Sequence, residues 1–293
     1  MHFTKLHGLG NDYLFVNGFD HVPHDPAGVA REASDRHRGV GSDGLILVMP
    51  PSEGVDASAR MWMFNADGSE GEMCGNGIRC VCKFVHDHGI GPNPHASPMK
   101  IETACGVLSL NYQSNGDGKI DRVTVDMGEP KLGPEAVGVT RRLLKLDETS
   151  YEIPLRSTSD YAPSAVMRGV FVSMGNPHVV VFRDTLGDDD HLVYGPPLEN
   201  AAYFENRINS HFVEVLDTTH VKVTHWERGS GATLACGTGA CAVCVAGVVT
   251  GKMERKITAE LPGGPLELEW RGTDHHVYMT GPAVEVFSGD WPG

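Results

Sequence analysis

This sequence is short of everything that would tie a protein to a bilayer, a nucleic acid or an oxidising compartment. No apolar run is long enough to cross a membrane. The first residues, Met1-His-Phe-Thr-Lys-Leu-His-Gly8, contain no signal-peptide core, so a cytoplasmic location is expected. Positive charge is scarce: 24 Lys and Arg stand against 38 Asp and Glu. The formal net charge of −14 argues against nucleic-acid and anionic-membrane partners. There is no Lys/Arg cluster with interleaved aromatics. Seven cysteines is an odd number, and their spacing matches no small disulfide scaffold, so reduced thiols are expected. The glycine loop Arg36-His-Arg-Gly-Val-Gly-Ser-Asp-Gly44 lacks the Lys-Ser/Thr ending of a phosphate loop and precedes a strand, which leaves it turn geometry or substrate contact.

What remains is an ordinary globular composition, 40% hydrophobic and 21% charged, in 293 residues, enough for two lobes that each bury a core. One stretch organises the rest. Arg60–Phe64 alternates like a strand; a polar, glycine-rich segment from Asn65 to Gly77 follows; then Ile78, Val81, Cys82 and Val85 fall on one helical face. Gly89 is a stop signal. Cys74 thus lies where a loop becomes the first turn of a helix, among unpaired N–H groups that favour a thiolate.

The plan recurs. Placing Cys236 on Cys74 puts Gly237 on Gly75, Gly239 on Gly77, Cys244 on Cys82 and Glu227 on Asn65. Leu9-Gly-Asn11 and Met174-Gly-Asn176 correspond at nearly the same offset, and two elements repeating in order argue for an internal duplication. The second helix, Ala240–Val249, is apolar on nearly every face and must be buried. Many short strands with one prominent helix per half predict an α+β fold: two pseudo-symmetric lobes, each a curved, mostly antiparallel sheet wrapped around a central helix. Gly128-Glu-Pro130 marks the change of segment, so the N-terminal lobe is expected over 1–126 and the C-terminal lobe over 127–281. Pro26–Asp35 reads as a short helix and Gly187–Asp190 as an acidic, solvated turn.

If both helix starts face one cleft, two opposed cysteines can invert a carbon. One sulfur removes the α-proton and the other delivers a proton to the opposite face. The amides of Gly75-Asn76 and Gly237-Thr238 would hold the substrate carboxylate and stabilise charge growing on it, in place of a pyridoxal cofactor.

The chain resembles diaminopimelate epimerase along nearly its whole length. The resemblance rests on His7-Gly-Leu-Gly-Asn11, Gly41-Ser-Asp-Gly44, Phe64-Asn-Ala-Asp-Gly68, Met73-Cys-Gly-Asn-Gly77, Met174-Gly-Asn-Pro-His178, Glu205-Asn-Arg-Ile-Asn209, Glu227-Arg-Gly229, Ala235-Cys-Gly-Thr-Gly239 and Leu261-Pro-Gly-Gly264, in this order. It implies cofactor-independent, metal-free interconversion of LL- and meso-diaminopimelate in lysine biosynthesis. It implies Cys74 and Cys236 as the acid–base pair, supported by His178 and Glu227. Gly75, Asn76, Gly237 and Thr238 would bind the reacting carboxylate. Asn11, Asn65, Asn176, Asn209, Glu227 and Arg228 would hold the other amino and carboxylate groups. It also implies a homodimer and a C-terminal strand, 282–293, that returns to the first lobe.

Competing readings exist for several of these residues. Cys80, Cys82, Cys105, Cys241 and Cys244 can be small apolar core residues. As metal ligands, Cys80 and Cys82 would stand about 200° apart around a helix, and the face shared by Cys241 and Cys244 lies within an apolar helix. A redox dithiol would sit at a helix start, not inside it. Asn11, Asn65, Asn176 and Asn209 could be turn residues, and His178 could be packing at the start of a strand.

Overall fold

Two helices in this chain are buried along most of their length, Gly237–Val249 being apolar on nearly every face, and each packs on the strands of its own unit. The structure is a computed structural model and describes residues 1–71, 73–155 and 165–292. The chain divides into two units: Met1–Asp126 with Thr280–Gly293, and Met127–Met279. Four α-helices lie among the described residues: α1 (Pro26–Ser34), α2 (Gly75–Asp87), α3 (Asp190–Glu199) and α4 (Gly237–Val249).

In the first unit the strands His2–Gly8 and Asn11–Asn17 form an antiparallel hairpin whose turn uses Leu9 and Gly10 at φ 57° and 83°. Only glycine adopts the second of these angles freely. Asn11–Asn17 then pairs in parallel with Gly44–Met49, which pairs antiparallel with Ala59–Asn65. Ala59–Asn65 is flanked by the short antiparallel strand Glu70–Gly71 and by Met99–Thr103 in parallel. Gly106–Ser114 and Ile120–Asp126 extend the sheet antiparallel. On the other edge, the C-terminal strand Val284–Asp290 pairs antiparallel with His2–Gly8. Against this sheet α2 buries every residue from Gly75 to Val85. A second layer forms where α1, capped by Asp25 accepting from the Gly28 amide and opened by Pro26, covers the outer face with Ala30 and Ala33.

The second unit repeats this plan element for element. Ala165–Ser173 and Pro177–Arg183 form the antiparallel hairpin, with Gly175 at φ 94° in its turn. Pro177–Arg183 pairs in parallel with Asn209–Asp217, which pairs antiparallel with His220–Glu227. His220–Glu227 is flanked by short, antiparallel Gly231–Ala232 and by parallel Lys256–Leu261, itself antiparallel to Gly264–Trp270. Within it α4 buries ten residues, every one from Gly237 to Gly247 except Thr238. The duplication read from the cysteine loops is therefore present in the order and direction of the strands.

The second unit also departs from the sequence expectation. The acidic segment is an exposed turn over 187–189 as expected, but its last residue, Asp190, opens α3. Pro196 and Pro197, which would normally break a helix, hid it. Two contacts hold it in place. Gly195 packs on Trp226, where an added Cβ would lie 2.4 Å from that residue's own Cβ. Glu199, almost fully buried, accepts from Trp226 Nε1 at 2.7 Å, Arg207 Nη1 at 2.8 Å and the Gly229 amide at 2.9 Å. The helix thereby clamps the turn that follows Glu227. Ahead of the repeat, the short strands Lys131–Leu132, Leu144–Lys145 and Ser150–Leu155 and a helical turn at Glu135–Val137 are further elements that periodicity did not mark.

Candidate active site

Each unit carries a share of the expected site residues near one helix start, five in the first unit and eight in the second. In the first unit Cys74 is the N-cap of α2, in extended conformation at φ −133° and ψ 119°, and its sulfur accepts from the Gly77 amide at 3.4 Å. The Asn11 Oδ1 lies 3.3 Å from the Cys74 sulfur and 3.3 Å from Asn76 Nδ2. Asn11 itself is fixed by donating to Asp43 Oδ2 at 2.7 Å, and Asp43 also accepts from Arg36 at 2.9 Å. Arg36 and Lys5 both pair with Asp12; burial raises the Asp12 carboxyl, but these two cations outweigh it and hold the group below its ordinary value.

Three residues here escaped the sequence reading. Tyr13 lies two positions beyond Asn11 on the same strand face, and its phenol hydrogen-bonds with Cys74 and Asn11. Burial, and then the charge and hydrogen bond of Cys74, push the phenol well above 10.0. Asp43 is the second. The third is Arg79, fully buried one turn into α2, which donates to the Gly75 carbonyl at 3.0 Å, Asn76 Oδ1 at 3.0 Å and the Pro282 carbonyl at 3.2 Å. The structure thus brings Asn11, Cys74, Gly75 and Asn76 together. Asn65 is half-buried at the end of its strand and uses its amide on Ser69 Oγ at 3.0 Å within its own turn.

In the second unit Cys236 is the N-cap of α4 and almost fully buried. Unlike that of Cys74, its side chain makes no cap hydrogen bond to the helix. Thr238 Oγ1 stands 3.7 Å from the sulfur, and the Glu227 carboxyl is hydrogen-bonded to it. Sequence reading expected a thiol lowered by the helix start. For Cys236 the opposite holds: burial, then the charge and hydrogen bond of Glu227, push it well above 9.0, and the Gly239 amide and Thr238 do not compensate. Burial also raises Glu227, against the hydrogen bonds from Thr233 and Cys236.

His178 is fully buried, which removes it from solvent but not from the polar network. Its Nε2 lies 2.8 Å from Asn176 Oδ1, and Asn176 Nδ2 donates to Thr238 Oγ1 at 3.3 Å. Burial, with Arg228 and His225 adding repulsion, lowers His178 to about 3. Asn209 is spent on the backbone: its amide donates to the Pro177 carbonyl and its oxygen accepts from the Arg228 N–H, each at 2.8 Å. Arg228 is half-buried and donates to the Asn206 carbonyl at 2.9 Å. Beside it opens a cleft of about 620 Å³, lined among others by Gly175, Pro177, Glu205, Arg207 and Arg228. His178, Asn176, Thr238, Gly237, Cys236 and Glu227 therefore form one connected group, with Asn209 and Arg228 at its edge.

Among the described residues no three His, Cys, Asp or Glu side chains converge as metal ligands. Burial pushes Cys80 and Cys244 up to about 12 each and raises Cys82 as well, so these thiols stay protonated. Cys105, expected in the core with them, is instead exposed, because it lies in the turn between Met99–Thr103 and Gly106–Ser114.

The fold is shared with solved structures of low sequence identity. A hydroxyproline epimerase from Agrobacterium vitis superposes with a TM-score of 0.64 at 15% identity, covering 99% of this chain and 91% of the other. A phenazine-biosynthesis protein from Bacillus anthracis gives 0.63 at 16%, covering 99% and 98%. At those identities the likeness shows the α+β fold alone. Sequence goes further. The pattern of the diaminopimelate epimerase family matches residues 3–133 and 170–286. The diaminopimelate epimerase of Acetivibrio thermocellus is 48% identical over 292 residues, 99% of this chain and 98% of its own length. Those of Desulfovibrio desulfuricans and Methanococcus maripaludis strain C6 are 45% and 43% identical, each match covering at least 98% of both chains. The chain belongs to the diaminopimelate epimerase family.

Proposed function

We propose that this protein interconverts LL- and meso-diaminopimelate, in lysine biosynthesis and without a cofactor, by passing the α-proton between Cys74 and Cys236. The observation that carries the reading is that each cysteine is the N-cap residue of the buried helix of its unit, held in extended conformation at the helix start. The substrate's α-carboxylate would lie on the first-turn amides of both helices, at Gly75-Asn76 and Gly237-Thr238, where N–H groups and dipoles favour negative charge. One sulfur, as thiolate, takes the α-proton. Charge moves onto the carboxylate, and those donors stabilise it as it grows. The other sulfur, as thiol, gives its proton to the opposite face. The reverse reaction exchanges the roles.

The environment of Cys236 supports a thiol in the resting state, with Glu227 as the carboxylate that relieves it of its proton when it must act as base. His178 supports the same step through Asn176 and Thr238. Arg228, positioned by Asn209, together with Asn11, Asn65 and Asn176, would bind the remaining amino and carboxylate groups. Unsatisfied polar partners in such a site would reject an amino acid lacking the distal head. The functional halves are the two units, Met1–Asp126 with Thr280–Gly293, and Met127–Met279, the second ending two residues short of the 127–281 expected from sequence. Exposed Val284, Val286 and Phe287 on the last strand support a homodimer through that strand. No helix among the described residues is long and apolar enough to cross a membrane, in keeping with a cytoplasmic enzyme.

Incubation of the purified protein with LL-diaminopimelate in D2O tests the reading. Deuterium should enter the α-position as meso product appears, with none entering proline. Exchange into proline alone, or into neither, would overturn it.

A further inference from the structure

Two chains of hydrogen bonds end at Cys236, and each starts on a buried histidine that the reaction above does not use. In the first, His211 Nε2 lies 2.9 Å from His178 Nδ1. His178 Nε2 continues to Asn176 Oδ1 at 2.8 Å, Asn176 Nδ2 to Thr238 Oγ1 at 3.3 Å, and Thr238 Oγ1 to the Cys236 sulfur at 3.7 Å. In the second, His225 Nε2 lies 2.8 Å from Thr233 Oγ1; Thr233 donates to Glu227 Oε1, and Glu227 meets the Cys236 thiol. His211 and His225 are direct partners across two antiparallel strands, with ring centroids 6.0 Å apart.

The direction of each chain follows from one atom. The Nδ1 of His211 and the Nδ1 of His225 are buried and meet no hydrogen-bond partner among the described residues. A neutral ring carries one N–H. Were the first chain to run away from the sulfur, that N–H would sit on the Nδ1 of His211 and be orphaned, the kind of buried donor that folded proteins rarely tolerate. With the proton on Nε2 every N–H along the chain has an acceptor and only a lone pair is left over. His225 is set in the same way, because the Thr233 hydroxyl donates its proton to the Glu227 carboxylate and its oxygen must then accept from Nε2.

We propose that His211 and His225 are positioning residues for the Cys236 half-reaction: as Nε2–H imidazoles, one turns the Thr238 hydroxyl proton toward the sulfur and the other turns the Thr233 hydroxyl proton toward Glu227. The sulfur is thereby offered a donor that stabilises its thiolate and a carboxylate held ready for its proton. Burial keeps both rings uncharged, lowering His211 well below 6.5 and His225 to about 4. The fold makes room for this arrangement at a single glycine. A Cβ on Gly239 would lie 2.0 Å from His211 Cε1, so the third residue of α4 must be glycine for the ring to reach its place.

The proposal rests on the epimerase reading, and one experiment has a readout that does not. Long-range proton–nitrogen correlation spectra of protein carrying 15N-labelled histidine, assigned with single His→Gln variants, report the tautomers directly. His178, His211 and His225 should all be Nε2–H near neutral pH. An Nδ1–H form at His211 or His225 would overturn the proposal even if the protein is fully active. Conversely, Nε2–H tautomers in a protein inactive on diaminopimelate would sink the reaction and leave the chains standing. In turnover, His211→Gln and His225→Gln keep a donor near Nε2 and should stay within about threefold of wild-type kcat, whereas the leucine variants lose about tenfold or more with KM within about twofold. Leucine variants that turn over like the wild type, or glutamine variants as impaired as leucine, would contradict it.

Discussion

Cys74→Ala and Cys236→Ala should each lower turnover by roughly 10²- to 10⁴-fold, the usual loss when a positioned acid or base is removed. A single sulfur can take an α-proton but has no partner to return one to the other face, so racemising turnover stops even where the substrate still binds. The folds should survive. Cys74 contributes a cap on the Gly77 amide, an interaction whose loss costs about 1 kcal/mol. Cys236 contributes one buried sulfur at the start of a helix that is held by its remaining apolar faces. Circular dichroism and thermal melts of both variants should therefore match wild type closely, while steady-state epimerisation is lost. Either variant retaining activity within severalfold of wild type would remove the two-sulfur mechanism.

Acidification to pH 5 should destabilise the protein by several kcal/mol without any change of sequence. His178 and His225 are buried and lowered from 6.5 to about 3 and about 4. In the unfolded chain both titrate normally, so below about pH 6.5 the unfolded state binds more protons and stability falls as pH drops. The contribution is complete above pH 6.5 and is lost progressively down to the folded-state values. At pH 5 each of the two rings accounts for roughly 2 kcal/mol. His211, shifted in the same direction, adds to this loss. Glu227 works against it, because a carboxyl raised by burial gains stability on protonation. Carboxyls held below their ordinary value, such as Asp12 and Asp87, begin to matter only at lower pH. Urea titrations at pH 7 and pH 5 should show this fall, reduced in a His225→Leu variant; equal stability at the two values would contradict the buried, uncharged state of the rings.

The cysteine loops were legible because three local signals coincide there: a change from strand to helix period, glycines that leave the helix start open, and repetition of the whole plan. These survive in a single sequence because each depends on neighbours a few residues away. The histidine chains were not legible for the opposite reason. His211 and His225 read as ordinary alternate positions of strands, and they meet only because the register sets His211 opposite His225. The same register brings Val180, two residues from His178, alongside His211. Tyr13 and Asp43 were hidden in the same way, since parallel pairing of Asn11–Asn17 with Gly44–Met49 is what brings the Asp43 carboxylate under Asn11. Helix α3 was missed because two prolines overrule propensity, and the burial of Glu199 and the contact of Gly195 with Trp226 overrule the prolines. The thiol of Cys236 shows a different limit. A helix start favours a thiolate, but burial reverses the balance and a carboxylate nine residues upstream adds to it, and spacing reveals neither the desolvation nor the shared site.

The account stands on two sulfur atoms reaching the same carbon, and oxidation with diamide followed by peptide mapping measures that most directly. The oxidant takes two hydrogens from the two thiols, and the predicted product is a single linkage joining the Cys74 and Cys236 peptides, with activity lost on oxidation and restored by dithiothreitol. Recovery of Cys74 and Cys236 as separately alkylated peptides, with activity unchanged after the same treatment, would contradict it.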